Sequence, residues 1–423
     1  MKKCSIHGCA LFLMSMVPCL WAQGPIEPLT GPAPLMKTLE QMEPRTIIPS
    51  LPYSIDKSGS YYLAGHLTLT ETNVNALDIT ANHVVVDMNG FTITGPGTDS
   101  GSAIRQDADY CNLTVKNGTI KGFRYRYAWG ISAFGHGNRY LNLTVAENNG
   151  GISAGSGSVI ENCVIVSNAS MADGIGIMAG DGSVVSRCAV SGNSASEIDP
   201  YLGIYAGKGC SIENCAVVDN RAGSYLNGIQ VGAGATVRGC SVADNYGLNG
   251  GQGFEAGPGA TVVDCSSMSN TDSMGAFMGF LADAGATIDR CTSIQNAGPG
   301  IWAKAGCTVR DCVVQANGTH GIVLSNDCLA VGNNCTYNGT ATDYGAGIEV
   351  YGQGCRIEDN NMVYNDYGIQ ALPPNNLIIR NSSRWNNFGA GDYDIADGNN
   401  YGEIIGSLGT NFVVSNPWAN LRY

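Results

Sequence analysis

Acids and tyrosines collect in a few short stretches of this chain, and these are the residues whose types could do chemistry. The stretches ASMADGI, SASEIDPYL, RAGSYLN, YGLNGGQ, TDSMGAFM and GTATDYGA supply Asp173, Glu197, Asp199, Tyr201, Tyr225, Tyr246, Asp272, Phe277, Asp343 and Tyr344. Aromatic rings pack on the apolar faces of sugar rings, and carboxylates accept hydrogen bonds from hydroxyls. The set therefore suits a carbohydrate. Pairs among Asp173, Glu197, Asp199 and Asp272 could also hydrolyse a glycosidic bond, but a sequence does not fix carboxylate separation. They stand as candidate substrate-binding residues, with no catalytic set assigned and a leaning away from enzyme activity. The bland alternative is a run of polar loops with scattered tyrosines. A zinc site is a poor fit, because no C-x-x-C pair occurs and the chain has only 5 His.

What positions these stretches is a repeat. Segments such as IENCVIVSN, VSRCAVSGN, IENCAVVDN and VRGCSVADN end in Asn at 148, 168, 193, 220, 245, 270, 296, 317, 338, 365 and 386, in steps of 20 to 27 residues. A second column, Gly followed by Ile or Phe, drifts with the first: Gly130, Gly151, Gly176, Gly203, Gly228, Gly253, Gly279, Gly300, Gly321, Gly347 and Gly368. Such a period marks a solenoid. Apolar residues alternate over short runs and lack helical spacing. The 58 Gly and 13% charged residues suit tight turns. No leucine ladder is present, and the units are too short for propeller blades. A parallel β-helix remains, with coils about 4.8 Å apart and at least ten of them over residues 120–390. Most coils spend seven to nine residues between the Asn column and the next Gly-Ile, and those after Asn296, Asn317 and Asn365 spend two or three. The long loops should stack as a wall carrying the acids and tyrosines, with a step beside it for an extended chain.

The consensus G-I-x(n)-I-x-x-[CN]-x-V-x-x-N resembles the right-handed parallel β-helix repeat of the pectin-lyase-like superfamily. IPSLPYSIDKSGSYYL, ITANHVVVDMNGFTITG and the closing NPWANLRY resemble the two ends of secreted bacterial proteins with that repeat. The resemblance covers residues 45–423 and implies the fold. It leaves activity open between carbohydrate binding, a surface scaffold, and a lyase or hydrolase with divergent catalytic residues. Gly135-His136-Gly137 matches a fragment of the polygalacturonase motifs without their companions. Asp199-Pro200-Tyr201 matches the start of an alginate-epimerase motif without its His-Glu.

The interior columns read as structural. An inward Asn at each turn can bond the Asn of the next coil and freed backbone groups. Cys163, Cys188, Cys215, Cys240, Cys265, Cys291 and Cys312 share a slot that passes to Asn333, Asn360 and Asn381, so the slot selects a small, buried, weakly polar side chain. Three of the 16 Cys lie in residues 1–22, leaving 13, which we read as mostly free thiols. Cys210, Cys307 and Cys355 are the candidates for an extra bridge. Charged residues beside the slot, among them Glu161, Arg187, Arg238, Asp264 and Arg290, should point outward.

Residues 1–22 read as a secretory signal: Lys2 and Lys3, an apolar run from Cys9 to Leu20, then Ala22. A Pro-rich leader and a short capping helix carrying Leu35, Met36, Leu39 and Met42 fill 23–44. No other run is long and apolar enough to span a bilayer. The expectation is a secreted, periplasmic or cell-surface protein. Net charge is −13, and −15 without Lys2 and Lys3. That disfavours nucleic acid. It also repels a polyuronate unless calcium bridges the two, and Ca2+ is the one ion this reading admits. A neutral extracellular polysaccharide or cell-surface glycan fits better.

Overall fold

Three very short strands make one coil, and the sequence shows why they are short. In the coil formed by Leu226–Val231, Thr236–Arg238 and Ser241–Ala243, Gly239 and Asp244 sit at φ 62° and 54°. Each is a single left-handed residue, and each turns the chain by one corner. Gly, Asn and Asp tolerate that region best. The column of corners runs Asn162, Arg187, Asn214, Gly239, Asp264, Arg290, Asp311, so the polar residues noted beside the Cys slot are there partly to bend the backbone.

The computed structural model describes residues 44–98, 101–170, 174–196, 198–340, 344–386, 391–406 and 415–423. The proposed signal and capping helix lie outside these. Arg45–Tyr423 form one compact unit. Its strands stack into a 15-stranded sheet, a 30-stranded sheet that holds two strands per coil, and a 4-stranded sheet. All pairings are parallel: Leu226–Val231, for example, lies between Tyr201–Ala206 and Gly251–Ala256. The parallel β-helix is therefore the fold, with the expected ten or more coils.

Like residues stack on like inside the coils. Ile204, Ile229, Phe254, Phe280, Ile301 and Ile322 follow one another in register. Phe254 and Phe280 stack at 4.8 Å and 6°, a ring separation equal to the strand spacing. The Asn column is continuous. Asn168 Nδ2 donates to Asn193 Oδ1 (2.9 Å), Asn193 to Asn220 (2.9 Å), Asn220 to Asn245 (3.0 Å) and Asn245 to Asn270 (2.9 Å). Each Nδ2 also donates to a carbonyl of the preceding coil, as Asn245 does to Val217 (3.0 Å). The ladder ends on an acid: Asn386 Nδ2 donates to Asp392 Oδ1 at 2.8 Å. A terminal rung has only to accept, which a carboxylate does. Arg422 lies 3.1 Å from its other oxygen.

The Cys slot performs the same task with weaker atoms. Cys240 Sγ accepts the Cys215 N–H at 3.4 Å and donates toward Ile212 O at 3.8 Å. Where the slot changes to Asn, Asn333 Oδ1 accepts the Cys312 N–H at 3.0 Å, and Asn333 Nδ2 donates to Asn360 at 2.9 Å. All 13 cysteines of the described residues stand as free thiols, including Cys210, Cys307 and Cys355. Burial pushes the Cys307 thiol up to about 11 and Cys312 up to about 12, which keeps them protonated and poorly reactive. Cys240→Ser should destabilise by about 1–3 kcal/mol, since contacts set for sulfur are too long for a hydroxyl. Denaturant titration reads this directly, and an unchanged midpoint would contradict it.

Outside, ion pairs cross from coil to coil, and one joins the neighbours Asp289 and Arg290. Asp264 meets Arg238 (3.1 Å) and Arg290 (2.8 Å), Asp289 meets Arg290 (2.6 Å) and Arg310 (2.9 Å), and Arg187 pairs with Glu161. The exposed pairs contribute little each, while Asp289, at 6% exposure, depends on its two arginines.

Candidate functional site: the outer face of the long sheet

The 15-stranded sheet turns one side chain per coil outward at the position just after each Gly-Ile or Gly-Phe pair. That position forms a register-locked row, Tyr205, Gln230, Glu255, Leu281, Trp302, Val323, Glu349 and Gln370, which Asp394 after Asp392-Tyr393 continues. A second outward row on the same strands includes Leu202, Asn227, Gln252 and Met278. Val323 is 2% exposed and interrupts the first row; the others are half-buried and form a shallow surface of aromatic, amide and carboxyl groups on either side of it. The row escaped the sequence reading because it varies in type. Its signal was available all the same, in the third residue of every G-[IF]-x triplet.

Glu255 is the chemically notable member. Asn227 Nδ2 donates to its Oε2 at 2.7 Å. Burial raises the Glu255 pKa, Lys304 opposes the rise and Asp283 adds to it. Asp283 itself pairs with Lys304 at 3.4 Å. Two carboxyls and a lysine thus meet on this face. Glu349 is the other acid held above its ordinary range by burial. Four coils separate it from Glu255, about 19 Å at the strand spacing. Paired glycosidase carboxyls stand roughly 5–9.5 Å apart, so Glu255 and Glu349 cannot share one bond. Asp283 is a diagonal neighbour of Glu255, a relation that spans about 7–8 Å between backbone positions.

The loop wall is only partly as expected. Asp173, Glu197 and Asp343 lie outside the described residues. Tyr201 is not on the surface: it is 2% exposed. Strand alternation explains this, because the residue two before each Gly-Ile faces inward. Tyr201, Leu226 and Gly251 share that slot. The ring fits because Gly174 lies below it, where a Cβ would come 2.6 Å from Tyr201 Cδ2. Burial pushes the Tyr201 hydroxyl pKa up. Phe277 is buried in the same way, over Gly251. Asp272 turns its carboxylate onto its own loop and accepts the N–H groups of Met274 (2.7 Å) and Ala276 (2.9 Å). Asp199 accepts the Ser196 hydroxyl. Tyr246 is half-buried on the 4-stranded sheet. Tyr225 and Tyr344 are 56% and 63% exposed, and Tyr225 reaches the same spot as Asp272, beside Gly250. The structure therefore joins Tyr225 to Asp272 and removes Tyr201 from the platform.

Among the described residues no group of three or more His, Cys, Asp or Glu could hold a metal ion. No helix there is long and apolar enough to cross a membrane.

No curated protein matches the chain. Several solved structures do. The A-module of the Azotobacter vinelandii mannuronan C-5 epimerase AlgE4 is 15% identical, with TM-score 0.38, over 75% of this chain and 90% of that one. The catalytic unit of an α-1,3-glucanase from Streptomyces thermodiastaticus is 17% identical, with TM-score 0.35, over 74% of this chain and 62% of that one. A tailspike of E. coli bacteriophage HK620, solved with a pentasaccharide, is 15% identical, with TM-score 0.33, over 80% and 69%. Likenesses of this strength carry no argument about activity. The model of the right handed beta helix region matches residues 196–354 and 301–416. That span is more than half of the 423 residues, and with the stacked coils it makes the chain a member of the right-handed β-helix family.

Proposed function

We propose that the chain binds an extended, neutral, extracellular polysaccharide along the outer face of its 15-stranded sheet. The observation that carries this reading is the row Tyr205, Gln230, Glu255, Leu281, Trp302, whose members stand in register on successive coils. Tyr205 and Trp302 offer apolar faces for sugar rings, and the amides and the carboxyl between them offer partners for hydroxyls. Tyr225 at the loop wall extends the surface. The excess of negative charge favours a neutral chain over a polyuronate. Residues 1–22 would deliver the protein to the outside of the cell, where such a ligand is met.

Trp302→Ala should weaken binding of the glycan that the parent selects on a glycan array by roughly five-fold, or about 1 kcal/mol, the value of one aromatic contact. The melting temperature should barely move, because Trp302 is only half-buried. An unchanged affinity would remove the row from the site. Recovery of the chain only inside the producing cell, with Met1 still attached, would argue against export.

A second reading, hydrolysis or elimination on a polysaccharide, is favoured by the meeting of Glu255, Asp283 and Lys304. A raised carboxyl pKa suits a general acid. Release of reducing or unsaturated ends by the parent chain would put this reading first.

A further inference from the structure

Glu349 is a half-buried acid of the outward row with no Lys or Arg paired to it among the described residues; Asp394, the other such acid, accepts the Gln370 amide. Its side chain is 16% exposed. Asp289, more buried still at 6%, has Arg290 and Arg310, and Glu255 has Lys304 nearby. The partner of Glu349 is His320, whose Nε2 lies 3.1 Å from Oε2. His320 Nδ1 accepts the Ala346 N–H at 3.2 Å. Nε2 therefore carries the ring proton and donates it to Glu349. A ring whose Nδ1 accepts a hydrogen bond is neutral, and burial lowers the His320 pKa in the same sense. One carboxylate oxygen receives a hydrogen bond, and the negative charge stays uncompensated, among the described residues.

The carboxyl opens on a pocket. Glu349, Val350, Tyr351, Gln370, Leu372 and Pro373 line a cavity of about 210 Å3. That is room for one small ring, below the size usual for drug-like ligands. Tyr351 and Leu372 are 69% and 57% exposed and stand as its walls. Gln370 Nε2 donates to Asp394 Oδ2 at 3.0 Å, which leaves the Gln370 carbonyl oxygen to accept.

We infer that this pocket takes an amino sugar, with its protonated amine against Glu349 and its ring against Tyr351. An ammonium supplies the counter-charge that a half-buried carboxylate lacks. An aromatic ring beside it adds attraction for a cation. The overall charge of −13 draws cations toward the surface. A sugar is favoured over a lysine side chain because the pocket lies on the same sheet face as Trp302, two coils away across the buried Val323. The inference rests in that respect on the polysaccharide reading above. It narrows that reading to a glycan that carries at least one free amine among neutral residues.

Calorimetry with three hexamers tests it: β-1,4-linked glucosamine, its fully N-acetylated form, and β-1,4-linked glucose, all at a pH where the amine is protonated. The parent should bind the glucosamine hexamer at least ten-fold more tightly than the other two. Glu349→Gln keeps the shape and an acceptor for His320, and it should erase that preference while leaving the melting temperature in place. Equal affinities in the parent, or a preference that survives Glu349→Gln, would overturn the amine site alone and leave the polysaccharide reading standing. A preference lost in Glu349→Gln but untouched by Trp302→Ala would keep the amine site and count against the extended row. Binding of none of the three hexamers would overturn the amine site. Tighter binding of N-acetyl-lysine amide than of glucosamine would replace the sugar with a peptide.

Discussion

Asn245→Leu should destabilise the protein by about 4 kcal/mol, one of the largest effects of any single change in the coil stack. Asn245 Oδ1 accepts the Asn220 N–H and the Asn220 Nδ2, both at 3.0 Å. Its Nδ2 donates to Val217 O (3.0 Å), Ala243 O (2.9 Å) and Asn270 Oδ1 (2.9 Å). Leucine fills a similar volume and satisfies none of these. The Asn220 N–H then lies buried without its acceptor, an amide proton of Asn220 is left as well, and the Val217 carbonyl loses its side-chain donor. Each orphan costs about 1–3 kcal/mol, and no water can reach a site that is 0% exposed. Stability in a solenoid is a sum of coil and interface terms, so the damage should concentrate at the two interfaces beside 245. Hydrogen exchange should show lost protection from about Val217 to Asn270, and denaturant melts should broaden into two steps. A loss below about 1 kcal/mol would mean that the ladder follows the fold and does not hold it.

That ladder was also the most legible part of the sequence, and for a physical reason. In a parallel stack each inward slot sees the same slot above and below, so selection repeats one residue type at one spacing. Asn148 through Asn386, the Cys-to-Asn slot and the Gly-[IF] column are all cases of this. The outward row was illegible by the same logic. Gln230, Glu255, Leu281 and Trp302 face solvent, where no neighbour enforces a type, so no column appears unless register is already known. The loop wall misled in a different way. The loops are shorter than their sequence stretches: the first two residues after Asn168, Asn193, Asn220 and Asn245 and the last two before Gly176, Gly203, Gly228 and Gly253 already belong to strands. Period-two alternation sends Tyr201 and Phe277 inward. Asp272 misled because an acid at a loop start has an internal use, capping N–H groups of its own turn, that composition does not distinguish from a ligand contact.

The glycine column connects stability to the candidate site. Gly228→Ala should cost about 3 kcal/mol, at the upper end for forced overpacking. A Cβ there would lie 2.3 Å from Val242 Cγ1 and 2.6 Å from the carbonyl oxygen of Gly253. Val242 belongs to the opposite wall of the coil, and Gly253 to the next coil. The valine can rotate, but the backbone oxygen is fixed by its own strand. Gly203 faces the same obstacle from Gly228 O at 2.4 Å, and Gly279 from Gly300 O at 2.4 Å. Gly234 provides the contrast: it has φ +66° and nothing within 4 Å of a new Cβ. Alanine at 234 should cost about 1 kcal/mol through backbone strain alone. The two changes should also separate in function. Gly228 lies between Asn227 and Gln230 on Leu226–Val231, so a wedge there shifts the hydrogen-bonding face beside Glu255. Gly234 lies in the turn that follows the strand. Gly228→Ala should therefore lower both melting temperature and glycan affinity, while Gly234→Ala should lower the first slightly and leave the second unchanged. Equal losses at the two positions would show that the close approach at Gly228 costs no more than the backbone strain at Gly234.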